Sequence, residues 1–100
     1  LTALSKAVSR DAAVDGVTIN NLLPERIDSP RQKFMAERLA TTHGITLAEA
    51  YARIASTIPA GRLGTPDEFG DTCAFVCSVP AAYMSGQNIH LDGGSYPGLI

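Results

Sequence analysis

Two cysteines and two histidines offer the broadest chemistry in this chain, and their spacing allows one specific site. Cys73 and Cys77 are four residues apart, so a helix would present both thiols on one face. With His43 and His90 they could supply the four ligands of a tetrahedral zinc site. We favour the simpler interpretation of small apolar helix residues, because His43 lies in a separate segment that need not approach Cys73. No metal ligand is therefore assigned.

Two predicted strands are the first of the secondary-structure elements that would position a reactive residue. Residues 17–23 are rich in β-branched and apolar types up to Pro24, and residues 87–92 alternate apolar with polar residues. Proline cannot donate to a strand ladder, so we expect the first strand to end there. A helix, a short turn and a strand in succession favour an α/β fold. Because parallel sheets normally have several strands, two strands predict an incomplete part of a doubly wound parallel sheet.

Four helices are predicted around these strands, the first over about residues 1–14. The other three begin with a Ser or Thr cap at Ser29, Thr46 and Thr65, each with Gln or Glu three residues later, a pattern typical of helix N-termini. Helical spacing gives four predicted apolar faces: Leu1, Leu4, Val8 and Ala12; Phe34, Met35 and Leu39; Leu47, Ala50, Tyr51, Ile54, Ala55 and Ile58; and Phe69, Cys73, Val76 and Cys77.

The middle two helices form an excursion at residues 30–58, between the predicted strands. A direct crossover between parallel strands needs only about a dozen residues. Longer helical insertions in α/β proteins often serve as lids over a substrate. We therefore predict a substrate lid at residues 30–58, with plain packing or a subunit contact as an equally weighted alternative.

Composition limits the classes of protein to which the chain can belong. Its 100 residues are 45% hydrophobic and 18% charged, with a formal net charge of −2, as expected for part of one soluble globular domain. No basic cluster indicates a nucleic-acid partner, and no apolar run approaches the roughly 18–20 residues that span a bilayer. Free thiols suit a reducing compartment. We expect a cytoplasmic protein, and because Leu1 already lies in a predicted helix, a chain cut from a longer one.

Three stretches, taken in order, resemble the C-terminal portion of the short-chain dehydrogenase/reductase family. They are Gly16-Val17-Thr18-Ile19-Asn20 leading to Pro24, the run from Ile58 to Glu68, and Ser85-Gly86-Gln87 through Asp92-Gly93-Gly94. The chain is most similar in character to 3-oxoacyl-carrier-protein reductases. The resemblance implies a Rossmann-type domain, NAD or NADP as cofactor, hydride transfer to or from a small or acyl-chain carbonyl substrate, and a homo-oligomer.

The same resemblance assigns a role to the loop that follows the first strand. The family carries Pro-Gly-x-Ile-x-Thr at the nicotinamide end of its cofactor, and Pro24 to Ser29 match it here. Carried over, Pro24, Ile27 and Ser29 are the cofactor-binding residues: the Ile27 backbone bonds the carboxamide, and the Ser29 hydroxyl bonds the carboxamide or diphosphate. Glu25 replaces the family glycine. If its φ is positive, glutamate costs about 1 kcal/mol or more, and its charge faces an anionic cofactor.

The catalytic residues of that family have no match in this chain. Its catalytic tyrosine is followed four residues later by lysine, whereas Tyr51, Tyr83 and Tyr96 are followed at that distance by other residues. No glycine-rich cofactor fingerprint occurs either. We therefore assign no catalytic residue and expect the chain alone to be inactive. The alternative is a non-catalytic binding or oligomerisation module derived from the same fold. His90 and Arg62 are interpreted as structural residues.

Overall fold

The computed structural model describes residues 1–99, so the last residue of the C-terminal apolar tail, Ile100, lies outside the described part. The elements in chain order are α1 (Thr2–Ala12), β1 (Asn21–Pro24), α2 (Pro30–His43), α3 (Leu47–Ser56), α4 (Pro66–Val76) and β2 (Asn88–Leu91). Short 3-10 turns follow α1 at Ala13–Asp15 and α4 at Val79–Ala81. The predicted α/β class is confirmed.

The two strands lie side by side and run parallel, with Asn21 opposite Asn88 and Pro24 opposite Leu91. Both are shorter than predicted, and residues 17–20 lie outside the ladder. Their would-be partners turn away at Gly86, whose φ is 70°. One backbone bond remains there, from the Gly86 N–H to the Ile19 carbonyl at 2.7 Å, and a side chain adds another, since Asn20 Oδ1 accepts the Gln87 N–H at 3.1 Å.

The three predicted N-caps are present, and the last is the most complete. The hydroxyls of Ser29, Thr46 and Thr65 each accept the backbone N–H three residues on. Only at Thr65 does the third residue, Glu68, also bond back to the N-cap N–H, at 2.9 Å. This reciprocal pair fixes the start of α4 beside the carboxyl end of the sheet.

The helices α2 and α3 pack against each other around the principal apolar cluster of the described residues. Ala36 and Ala50 are fully buried and Ile54 is 7% exposed, and five half-buried residues surround them: Leu39, Ala40, Ile45, Tyr51 and Leu63. The small alanines let the two helix backbones approach closely. The predicted apolar face of α3 is largely confirmed, since Ile58 is also buried.

The other predicted apolar faces are covered only in part: Leu39 on α2 and Phe69 and Val76 on α4 are half-buried, and the burial predicted for the rest of the α4 face was wrong. Leu1, Leu4 and Val8 on α1 are exposed, as are Phe34 and Met35 on α2. On α4 both Cys73 and Cys77 are exposed. The reason is physical: a two-stranded sheet has too little surface to pack against all of these faces.

The dimensions agree with an incomplete domain. The radius of gyration is 17.0 Å and the extents are 56 × 23 × 21 Å, whereas a compact domain of this length would have a radius of gyration of about 13 Å. Within the described part of the chain, no helix is both long and apolar enough to cross a membrane.

Candidate functional site

The carboxyl ends of β1 and β2 meet at one edge of the sheet and send two short connections into the same region. The first is the loop of residues 25–29 after β1, and the second is the turn Asp92-Gly93-Gly94 after β2. In open parallel sheets, ligands bind beyond this edge. The candidate site is therefore built from the residues that hold these two connections in place.

Gly64 holds the loop after β1 from one side. Its N–H donates to the Arg26 carbonyl at 3.0 Å, and its carbonyl accepts the Asp28 N–H at 2.8 Å, which makes Ile27 and Gly64 a parallel bridge. The Glu25 N–H adds a bond to the Leu91 carbonyl at 3.0 Å. The loop thus has a defined backbone conformation.

The backbone N–H and C=O of Ile27 are available to bond a ligand. The bridge to Gly64 uses the carbonyl before Ile27 and the N–H after it, so the N–H and C=O of Ile27 itself point to the opposite side. Neither is hydrogen-bonded to any residue in the range 1–99. An adjacent donor and acceptor of this kind match a primary carboxamide, which offers an acceptor oxygen and a donor nitrogen.

Ser29 lies two residues further and caps α2. Its Oγ accepts the Gln32 N–H at 3.4 Å, and as an acceptor in that bond the hydroxyl retains its own proton to donate. Proline at the first helical position removes one N–H that would otherwise need a partner. Ser29 can therefore stabilise the helix and donate to a ligand at once.

A positive φ occurs in this loop at Arg26, one residue after the position that matches the family glycine. Among the described residues only Arg26 has a positive φ without being glycine, at 59°. Glu25 does not, so the condition for a backbone cost at Glu25 is not met. A left-handed conformation costs a residue with a β-carbon about 1–2 kcal/mol, and here Arg26 carries that cost.

The turn after β2 is held by the buried and hydrogen-bonded carboxylate of Asp92. Asp92 is 9% exposed. Its Oδ1 accepts the Gly94 N–H at 3.0 Å and its Oδ2 accepts the Tyr96 N–H at 2.9 Å. Burial alone would raise the pKa of Asp92, but these N–H groups, with His90 and Ser95 nearby, hold the pKa below its usual value. Asp92 is thus a structural anchor.

His90 lies beside this turn, as a packed residue. Its Nδ1 is 3.9 Å from Asp92 Oδ2, and its ring stacks on Tyr96 with centroids 4.3 Å apart. These contacts support the structural interpretation made from the sequence.

Arg62 also has a structural partner, as predicted. Its guanidinium makes two parallel bonds to the Glu68 carboxylate, at 2.7 and 2.8 Å. The hydrogen bond from Arg62, followed by the one from the Thr65 N–H, lowers the pKa of Glu68 from 4.5 to about 2. The Arg62–Glu68 ion pair therefore connects the N-terminus of α4 to the segment that precedes it, which contains Gly64.

A pH titration tests the Arg62–Glu68 ion pair. We expect the Glu68 carboxyl to titrate at about 2 in carboxyl NMR, and to move up towards 4.5 in Arg62→Gln. Because the folded pKa is the lower one, the stabilisation is present above pH 4.5 and is lost as the pH falls to about 2. Arg53→Gln, an exposed arginine on α3, should leave the Glu68 titration unchanged. An unshifted carboxyl in Arg62→Gln would contradict the assignment.

The four potential zinc ligands are not brought together. Cys73 and Cys77 lie on α4 while His43 ends α2. Across residues 1–99 no group of three or more His, Cys, Asp or Glu side chains is placed to hold a metal ion.

A parallel strand pair with a structured loop at its carboxyl edge defines the C-terminal part of a Rossmann-type doubly wound α/β domain. Comparison with known proteins narrows this class. A family profile described as enoyl-(acyl carrier protein) reductase matches residues 1–96. The chain belongs to the short-chain dehydrogenase/reductase family.

Relatives and solved structures agree with this assignment. The 3-oxoacyl-[acyl-carrier-protein] reductase FabG of Vibrio cholerae is 36% identical over 92 residues, which are 92% of this chain and 33% of that protein. The chain superposes on YwfH, an NADPH-dependent reductase involved in bacilysin biosynthesis, with a TM-score of 0.86 and 33% identity, covering 99% of this chain and 37% of YwfH.

A third comparison is with a cofactor complex. L-sorbose reductase from Gluconobacter frateurii, solved with NADPH and L-sorbose, gives a TM-score of 0.89 at 26% identity, covering 99% of this chain and 38% of that one. The chain therefore spans about a third of the length of the relatives it matches.

Proposed function

We propose that these residues form the nicotinamide-facing, C-terminal third of an NAD(P)-dependent oxidoreductase. The whole protein would transfer a hydride between the cofactor and a carbonyl or alcohol, as its reductase relatives do. The observation that carries this proposal is the loop of residues 25–29, which is fixed by Gly64 and leaves the Ile27 N–H and C=O free.

The residues of this loop fit the nicotinamide end of such a cofactor. The Ile27 N–H would donate to the carboxamide oxygen and the Ile27 C=O would accept from its amino group. Ser29 would donate its hydroxyl proton to the carboxamide or diphosphate. The N-terminus of α2 adds a partial positive charge on the same side. Pro24 ends β1 and sets the direction in which the loop leaves the sheet.

The chemistry is divided between this chain and the remainder of the protein. A bound nicotinamide cofactor supplies the hydride. The residues described here would bind and orient its nicotinamide ring. Since no tyrosine here is followed by lysine four residues on, the proton donor for the carbonyl oxygen belongs to the part of the domain outside this chain. The chain alone is then inactive.

The helical excursion at residues 30–58 is proposed as the substrate lid. The helices α2 and α3 share a core of their own, and Met35 of α2 lines the same cleft as the loop residues Pro24 and Ile27. An apolar side chain at that place suits a small or acyl-chain carbonyl substrate. The exposed apolar face of α1 suits packing within a homo-oligomer of a cytoplasmic enzyme or against the rest of the domain.

Cofactor binding and turnover by the whole protein test the proposal. We expect saturable binding of NADH or NADPH by calorimetry, and loss of nicotinamide absorbance when a panel of ketones and acyl-thioester carbonyls is added. The 100-residue chain alone is expected to give no turnover with either cofactor. Turnover by the chain alone would contradict the division of labour proposed above.

A second candidate function is a non-catalytic binding or oligomerisation module. The observation that favours it is the exposed Glu25 carboxylate, which lines the cofactor-side cleft and would repel an anionic cofactor. If neither NADH nor NADPH binds to the whole protein, the module is the better description.

A further inference from the structure

Arg26 lies in the loop after β1 and lines the same cleft as the residues proposed to hold the cofactor. This cleft, called here the loop cleft, has a volume of about 530 Å³. Pro24, Ile27 and Ser29 belong to its lining, and Arg26 lies between the first two in the chain. The Arg26 side chain therefore borders the space that the nicotinamide half of a cofactor would occupy.

The backbone of Arg26 adopts a conformation that is unfavourable for an arginine. Its φ is 59°, and it is the only residue other than glycine with a positive φ in the described part of the chain. Glycine would adopt this conformation without strain, whereas a residue with a β-carbon does not. Backbone strain of this kind is concentrated at functional sites.

Hydrogen bonds on both sides hold Arg26 in this conformation. The Glu25 N–H before it donates to the Leu91 carbonyl at 3.0 Å, and the Arg26 carbonyl accepts the Gly64 N–H at 3.0 Å. The chain is thus tied to β2 on one side and to the segment before α4 on the other. The direction in which the Arg26 side chain leaves the backbone is fixed as a result.

The guanidinium of Arg26 has no partner within the protein. The residue is half-buried, but no ion pair or hydrogen bond joins its side chain to any of residues 1–99. A charge that loses hydration without gaining a partner is unfavourable. A guanidinium can bind two phosphate oxygens at once through parallel N–H groups, so an anionic ligand would supply what the side chain lacks.

Other features of the loop cleft suit an anion, and the exposed Glu25 carboxylate opposes it. Ser29 caps α2, whose first turn has no acidic residue, so the positive end of that helix faces the cleft without a compensating charge. Arg31 also lines the cleft, but it is exposed and water screens its charge. The half-buried Arg26 is better placed to offset Glu25.

We propose that Arg26 binds the diphosphate of the nicotinamide cofactor, beside the contacts given above to Ile27 and Ser29. The assignment rests on the proposed oxidoreductase function and adds a residue to it. Arg26 stands at an unspecified position of the Pro-Gly-x-Ile-x-Thr pattern, so this contact is a property of the present chain. It also explains how a loop with glutamate in place of the family glycine accepts an anionic cofactor.

The test is a calorimetric titration of the whole protein with NADH, NADPH and ADP-ribose. ADP-ribose retains the diphosphate and lacks the nicotinamide, so it reports the diphosphate contact independently of Ile27. We expect Arg26→Gln and Arg26→Gly to weaken the binding of all three ligands about tenfold, the loss that corresponds to one hydrogen-bonded charge contact. Arg26→Lys should recover part of the affinity, because it retains the charge without the planar fork.

Control variants separate this contact from a change in folding or in total charge. Arg26→Gly should have an unfolding midpoint equal to or above that of the unaltered protein, because glycine accepts the positive φ. Arg38→Gln removes the same charge from α2, but Arg38 stacks on Phe34 outside the loop cleft, so all three affinities should stay unchanged. Glu25→Gln should tighten binding of all three ligands.

The remaining outcomes each contradict the proposal. If Arg26→Gly weakens NADH binding but leaves ADP-ribose binding unchanged, Arg26 acts through the nicotinamide loop and does not bind the diphosphate. If the Arg26 variants bind all three ligands like the unaltered protein, the assignment of Arg26 is wrong while the oxidoreductase function stands. If the unaltered protein binds none of the three, the oxidoreductase function is wrong and the assignment of Arg26 with it.

Discussion

Replacing Gly93 by alanine is expected to lower the free energy of unfolding of the whole protein by about 2–4 kcal/mol. The φ of Gly93 is 62°, which alone disfavours a β-carbon. An added Cβ would also lie 2.6 Å from Ile58 Cγ2 and 3.2 Å from Ala60 Cβ. Ile58 is 4% exposed and has little room to move, and the Ala60 backbone is tied to this turn because its N–H is bonded to the Gly93 carbonyl at 2.9 Å.

Gly44→Ala is the matched control for this prediction. Gly44 has a nearly equal φ of 64° but has nothing within 4 Å of an added Cβ. It should lose only the backbone contribution, about 1 kcal/mol. Urea unfolding followed by circular dichroism gives both values. Equal losses in the two variants would show that contact with Ile58 does not matter.

Replacing Gly64 by valine is expected to weaken NADPH binding at least about tenfold, provided that the loop of residues 25–29 holds the nicotinamide. The φ of Gly64 is not positive, so backbone strain is small. Even a bare Cβ at Gly64 would lie 2.8 Å from Ile27 Cδ1. We expect the larger valine to displace the Ile27 side chain and, because Ile27 and Gly64 are paired through their backbones, the loop with it. The Ile27 N–H and C=O then move away from the carboxamide.

A second change provides the rescue test. Ile27→Ala retains the backbone groups and removes the atoms in conflict, so adding it to Gly64→Val should recover most of the affinity measured by calorimetry. Gly70→Val is the control, because Gly70 lies on α4 with nothing within 4 Å of an added Cβ. An unaltered dissociation constant in Gly64→Val would remove the loop from the cofactor site.

The parallel strand pair was predictable from the sequence because its signals are local. The β-rich run that stops at Pro24 and the alternating residues before Asp92 identify both strands, and the capped starts at Ser29, Thr46 and Thr65 identify three helices. Arg62 was also correctly interpreted as structural. Such features depend on a few neighbouring residues, so their chemistry is visible without the fold.

The details of the site depend on contacts between distant residues, which the sequence does not display. The role of Gly64 in holding the loop requires that residues 26–28 and 64 become neighbours. The positive φ of Arg26 is likewise not indicated by its residue type. The burial of the helix faces was also not predictable from the sequence. The spacing on α1 and α4 marks apolar faces, but it does not show whether a partner covers them.

The separate core of α2 and α3 has an evolutionary consequence. Its buried residues are Ala36, Ala50 and Ile54, and no residue of either strand belongs to this cluster. Substitutions on the outer surface of this helix pair can therefore accumulate without disturbing Gly64 or the loop of residues 25–29. If the proposed oxidoreductase function holds, descendants of one ancestral protein can in this way acquire new substrate preferences while the loop of residues 25–29 keeps its conformation.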